Sequence, residues 1–127
     1  MKLDIHNYPL RLQRESKYLE NSPISQRNKD TIRKFHDDCA VQDISQPRLV
    51  KLMEVTRSLA LILNKDFDRA TIEDVKTLVR VIESKDYSPW TKMTFRCILK
   101  KFYKWLKGNN EEYPQHQDSL SVANPFP

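Results

Sequence analysis

One glycine among 127 residues is the first constraint this chain imposes, and it rules out whole classes of chemistry. A phosphate-cradling loop needs several glycines, because its backbone N–H groups approach the ligand where a Cβ would otherwise stand. No such loop can be built here. The same scarcity, with few strand-forming runs, argues against an all-β or doubly wound fold. No apolar run approaches the ~18 residues of a membrane span, and Met1 to Leu10 lacks the apolar centre of a signal peptide. An intracellular protein with no membrane partner is expected.

Cysteine and histidine are equally thin. Cys39 and Cys97 fall on the apolar sides of separate expected helices, where a thiol packs as a small hydrophobe, so two buried free thiols are expected. His6, His36 and His116 are scattered, and only His36 and Cys39 have a ligand-like separation, which is too few donors for a metal. Asp37 and Asp38 are adjacent and therefore point apart on a helix. Neither a nucleophile elbow nor a His-Glu-x-x-His pattern is present. The chain alone is expected not to be an enzyme, and no cofactor is implied.

What the chain has is helical periodicity and one block of unbalanced charge. A chain of this length is a single small domain with enough residues for a real core. Ser88 to Lys107 carries six Lys or Arg and no acid, while the rest of the chain has 16 basic against 17 acidic residues, so the net charge of +5 resides in this block. At about 100° per residue, Phe95, Ile98, Leu99, Phe102, Trp105 and Leu106 share one arc. Lys92, Arg96, Lys100, Lys104 and Lys107 share another, roughly 140° away. Ser88-Pro89 starts the helix and Gly108 stops it. Such a stripe is either a solvated face or a surface for a polyanion; the missing acids favour the polyanion, because like charges repel unless a partner neutralises them.

Upstream, Met1 to Asn21 is weakly patterned, with Leu10, Tyr18 and Leu19 able to form one ragged helix. Asn21-Ser22-Pro23 breaks it. A second helix starts at Ser25, with Ile32, Phe35 and Cys39 inward and balanced charge outside, and reads as scaffold. After a break at Asp43-Ile44, Ser45-Gln46-Pro47 opens a helix that runs to about Asn64 and is apolar around most of its circumference, as a central helix should be. Its start is basic, through Arg48 and Lys51, and is expected to face the same partner as Lys92 and Arg96. Phe67 anchors the following loop. Thr71-Ile72-Glu73-Asp74 forms a capping box with Asp in the usual Glu or Gln place, ahead of the stripe Ile72, Val75, Leu78, Val79 and Ile82. Residues 109–127 read as a linker or disordered tail.

Lys65-Asp66-Phe67, Ala70-Thr71-Ile72-Glu73-Asp74, Tyr87-Ser88-Pro89-Trp90-Thr91-Lys92 and Leu99-Lys100-Lys101-Phe102-Tyr103-Lys104-Trp105-Leu106-Lys107-Gly108 together resemble the N-terminal core-binding domain of archaeal-type tyrosine recombinases, the phage-integrase family. The likeness covers about two thirds of the chain, from Ser25 to Gly108. It implies an all-α, four-helix SAM-like orthogonal bundle over 23–108, behind a ragged N-terminal extension (1–22) and ahead of a disordered C-terminal tail. It also implies binding of double-stranded DNA during integration and recombination, in the cytoplasm at the nucleoid, beside a C-terminal catalytic domain and other recombinase protomers. The DNA-facing residues that follow are Ser45, Arg48, Lys51, Ser88, Thr91, Lys92, Arg96, Lys100 and Lys104. Cations would meet phosphates, hydroxyls would donate to phosphate oxygens, and Arg96 would reach a guanine edge. Trp90 is expected in the core. No residue after Gly108 supplies the family's distributed Arg, Lys, His-x-x-Arg and Tyr set; Glu112-Tyr113-Pro114 resembles the start of its interdomain linker. The alternatives are a helical module that docks an acidic protein on its basic stripe, and a free-standing accessory DNA-binding protein.

Overall fold

Three helix starts in this chain, at Ser25, Thr71 and Ser88, are capped by a serine or threonine hydroxyl. The computed structural model describes residues 8–42 and 44–108, and its helices are α1 (Tyr8–Asn21), α2 (Gln26–Ala40), α3 (Gln46–Leu63), α4 (Ile72–Ser84) and α5 (Pro89–Leu106), with a short 3-10 turn at Phe67–Arg69. There is no strand among the described residues. Ser25 Oγ accepts from Asn28 N at 3.1 Å, and Ser88 Oγ accepts from Thr91 N at 3.1 Å. At Thr71 the expected capping box is complete: its hydroxyl accepts from Asp74 N at 3.2 Å while the Asp74 carboxylate accepts from Thr71 N at 2.9 Å. Each bond satisfies a first-turn N–H that has no partner inside the helix. Asn64 ends α3 in the left-handed region, with φ 55°, a conformation that asparagine tolerates better than most residues.

α3 is the central element. It packs against α1, α2, α4 and α5, and Leu49, Val50, Leu52, Met53, Val55, Thr56, Leu59 and Ala60 are all buried along it. That matches its nearly all-round apolar pattern. Around it, Ile32 and Phe35 of α2, Leu78 and Ile82 of α4 and Leu99 and Phe102 of α5 are almost fully enclosed. Phe67 is 1% exposed and places its ring 4.5 Å from that of Phe102, so the loop anchor read from the sequence is real. The phenol of Tyr103 is buried and donates to Phe67 O at 2.9 Å, and that burial pushes its pKa up.

Three expectations are corrected. The N-terminal segment is not ragged within the described residues: α1 lies on α3, burying Leu19 completely, and Glu15 meets Arg57 of α3 at 3.2 Å. The pattern is weak because two leucines, Leu12 and Leu19, and polar contacts such as Glu15–Arg57 and Glu20–Arg33, rather than a full apolar stripe, hold it. Trp90 is 72% exposed rather than in the core, and Cys97 is exposed while Cys39 is buried. Trp90 and Cys97 both border an open groove between α3 and α5, which leaves them exposed. The first seven residues, Asp43 of the expected break and the expected tail lie outside the described residues. Among the described residues no helix is long and apolar enough to cross a membrane.

His36 offers a test of the core from pH. It is half-buried on α2, and its Nε2 is enclosed with no hydrogen-bond partner. Burial holds its pKa below the ordinary value, against a smaller upward pull from Asp37. The folded chain therefore resists a proton that the unfolded chain accepts near pH ~6.5, so stability should fall as pH drops below that value and level off below the folded pKa. Urea midpoints should drop more for the wild type than for His36→Gln between about pH 7.5 and 5.5. Equal drops would remove His36 as the cause.

Candidate nucleic-acid interface

α3 and α5 bring their N-terminal halves together, and an open groove runs between them. Its lining is Arg48, Lys51 and Leu52 from α3 with Trp90, Met93, Thr94, Cys97 and Ile98 from α5. No carboxylate is among these residues. The positive ends of two helix dipoles border the same groove; each helix has proline in its first turn, which fixes the backbone there and supplies no N–H of its own.

The cations around this groove differ in how they are held. Arg48 is exposed, and no ion pair engages it, Lys100, Lys101 or Lys104 among the described residues. Lys51 reaches Glu54 at 3.4 Å, with both side chains substantially exposed, a pair of small energetic weight in water. Burial pushes the Cys39 thiol up, and the charges of Lys101 and Arg48 partly oppose that shift. Both cations are therefore within electrostatic reach of Cys39, in the last turn of α2. Cations thus stand both at the start of α3 and further along α5 beyond the groove.

Lys92 and Arg96 are placed elsewhere. Lys92 Nζ donates to Glu83 O at 2.8 Å, and Arg96 forms an ion pair with the Glu83 carboxylate. Glu83 lies in the last turn of α4, where carbonyls lack helical partners and a lysine ammonium is favourable. The Arg96 side chain is only 18% exposed, and its Nε is enclosed without a partner. The structure therefore separates the six expected cations into two groups. Arg48, Lys51, Lys100 and Lys104 are available to an external anion, whereas Lys92 and Arg96 are engaged at the α4–α5 junction.

The hydroxyls divide similarly. Ser88 donates to Thr91 Oγ1 at 3.1 Å besides capping α5, so both are already used locally. Ser45 precedes α3 with no capping bond from its side chain and is exposed. Sequence reasoning missed Lys101, which sits between the apolar and basic arcs, and it missed the exposed face of Trp90. No signal in the sequence marks the second, since an indole suits either environment. No family model matches the chain, and no curated protein or solved structure matches it.

Proposed function

We propose that this protein binds double-stranded DNA across the α3–α5 groove, as the core-binding part of a site-specific tyrosine recombinase acting in integration and recombination. The observation that carries the reading is the acid-free groove lined by Arg48 and Lys51, with Lys100, Lys101 and Lys104, which no ion pair engages among the described residues, further along α5. In this reading α2 to α5 make the SAM-like four-helix bundle, α1 is a further helix laid on α3, and catalysis belongs to a separate domain on the other side of the duplex. The four cations Arg48, Lys51, Lys100 and Lys104 neutralise phosphates and displace their counterions. Ser45, ahead of α3, can donate to a phosphate oxygen.

Fluorescence anisotropy of a labelled ~25 base-pair duplex over a salt series tests this, with an expected slope of log affinity against log salt near −4 for about four phosphates. Arg48→Ala/Lys51→Ala should flatten the slope by about 2 and weaken binding at every sequence tried. Lys92→Ala/Arg96→Ala should change the slope much less, because those side chains are tied to Glu83. Salt-independent or absent binding at low ionic strength, with helical content intact, would remove the DNA reading and leave an acidic protein as the partner.

A further inference from the structure

An indole in water, at the mouth of a cationic groove, calls for an occupant. Trp90 is 72% exposed, and it shares the groove with Leu52, Met93 and Ile98, which supply an apolar wall, and with Arg48 and Lys51. The groove holds roughly 200 Å³, below the ~300–1,000 Å³ of sites that enclose a drug-sized ligand. It has room for one flat ring system and not for a larger cofactor. Thr94 spends its hydroxyl on Trp90 O at 3.0 Å, so the lining offers little hydrogen-bond selectivity. Its chemistry is a π face, a polarisable thioether and two positive charges.

We infer that the groove takes one unpaired nucleobase, stacked on Trp90, with its flanking phosphates on Arg48 and Lys51. In an intact duplex both faces of each base are covered by neighbours, and only edges are offered in the grooves, so an indole cannot stack without an opened step. An unpaired base has both faces free. Every base has a π face, so stacking on Trp90 is tolerant of sequence, in keeping with a lining whose one hydroxyl, that of Thr94, is already spent on Trp90 O. An acidic peptide would satisfy Arg48 and Lys51 but leave the indole and the apolar wall without a flat partner. The inference rests on the DNA-binding reading and narrows its substrate to DNA with a base outside the stack, as at a bulge, a nick or a strand junction.

Cys97 provides a reporter inside the groove. The chain has two cysteines; Cys97 is exposed and lines the groove, whereas Cys39 is buried with its pKa raised by that burial. Iodoacetamide should therefore modify Cys97 first, and mass spectrometry can follow the rate on the full chain. The experiment compares a fully paired duplex with the same duplex carrying one unpaired base, by anisotropy and by Cys97 alkylation. The bulged duplex should bind about tenfold more tightly, the range that one base on one aromatic ring gives, and should slow alkylation several-fold. Trp90→Ala should reduce the preference to near one, and Trp90→Phe should keep most of it.

Equal affinity for the two duplexes, with Cys97 reacting at its free rate, would overturn this inference and leave duplex binding standing. Failure of both duplexes to bind would overturn both readings. Protection of Cys97 by an oligoglutamate peptide, but by neither DNA, would assign the groove to an acidic protein and likewise overturn both.

Discussion

Phe102→Ala should cost about 3–5 kcal/mol of stability, the range for removing a large ring from an enclosed site that cannot collapse. Phe102 is fully buried, and its ring centroid lies 5.1 Å from that of Phe35, 4.5 Å from Phe67 and 5.8 Å from Trp105. It joins α2, the 3-10 turn and α5 in one cluster. Edge-to-face and tilted contacts of this kind add to the area term, so the loss exceeds simple transfer of a phenyl ring. Trp105, at the edge of the cluster, donates its Nε1–H to Asp38 Oδ2 at 2.8 Å and cannot swing inward to fill the space without giving up that bond. Small domains have total stabilities of about 5–15 kcal/mol, so the variant would lose a large share of the total. Urea titration should show a strongly lowered midpoint at an unchanged slope, and Phe102→Leu should recover more than half of the loss. A loss below about 1 kcal/mol would mean that the cluster repacks freely and does not fix the angle of α5.

Asn28→Ala should destabilise the fold by about 2–4 kcal/mol, more than its place on a charged helix would imply. Asn28 is 3% exposed. Its Nδ2 donates to Lys65 O at 2.7 Å and its Oδ1 accepts from Phe67 N at 2.9 Å, so one side chain holds both polar groups of the loop that leads Phe67 into the core. Alanine leaves a carbonyl and an N–H without partners in a place that water reaches poorly. Asn28→Asp separates the two bonds. Ionised, it still accepts from Phe67 N but opposes Lys65 O with a like partial charge; protonated, it can donate to that carbonyl. Its folded pKa should therefore lie above the unfolded value, and its deficit should shrink as pH falls through the folded pKa. Thermal melts of wild type, Asn28→Ala and Asn28→Asp at neutral and mildly acidic pH test both statements. An Asp variant as stable as wild type at neutral pH would remove the donor to Lys65 O from the account.

The DNA reading depends on a distinction that neither core variant touches. A basic side chain counts toward a polyanion site only if it is unpaired or held as weakly as Lys51 is by exposed Glu54. Glu83 engages both Lys92 and Arg96, whereas no ion pair engages Arg48 among the described residues. The most mixed prediction from the sequence is therefore the basic stripe itself, of which Lys92 and Arg96 are internal glue between α4 and α5.

Local signals account for most of what could be read from the residues in order. Ser25, Thr71 and Ser88 cap helices because a short polar side chain can reach an N–H two or three positions on, whatever surrounds it. The all-round apolar run of α3 makes it central because no other position satisfies every face of it. The single glycine excludes a phosphate loop in any fold. The features that needed the folded chain all join residues distant in sequence. Glu83 meets Arg96 across the α4–α5 turn, Asn28 meets Lys65 and Phe67 across 37 and 39 positions, and Glu15 meets Arg57 across 42. A wheel projection shows which residues of α5 share an arc, but it cannot show where the neighbouring helices stop covering that arc. That boundary leaves Trp90 and Cys97 in the open, and it is set by the packing of α3 and α4 against α5.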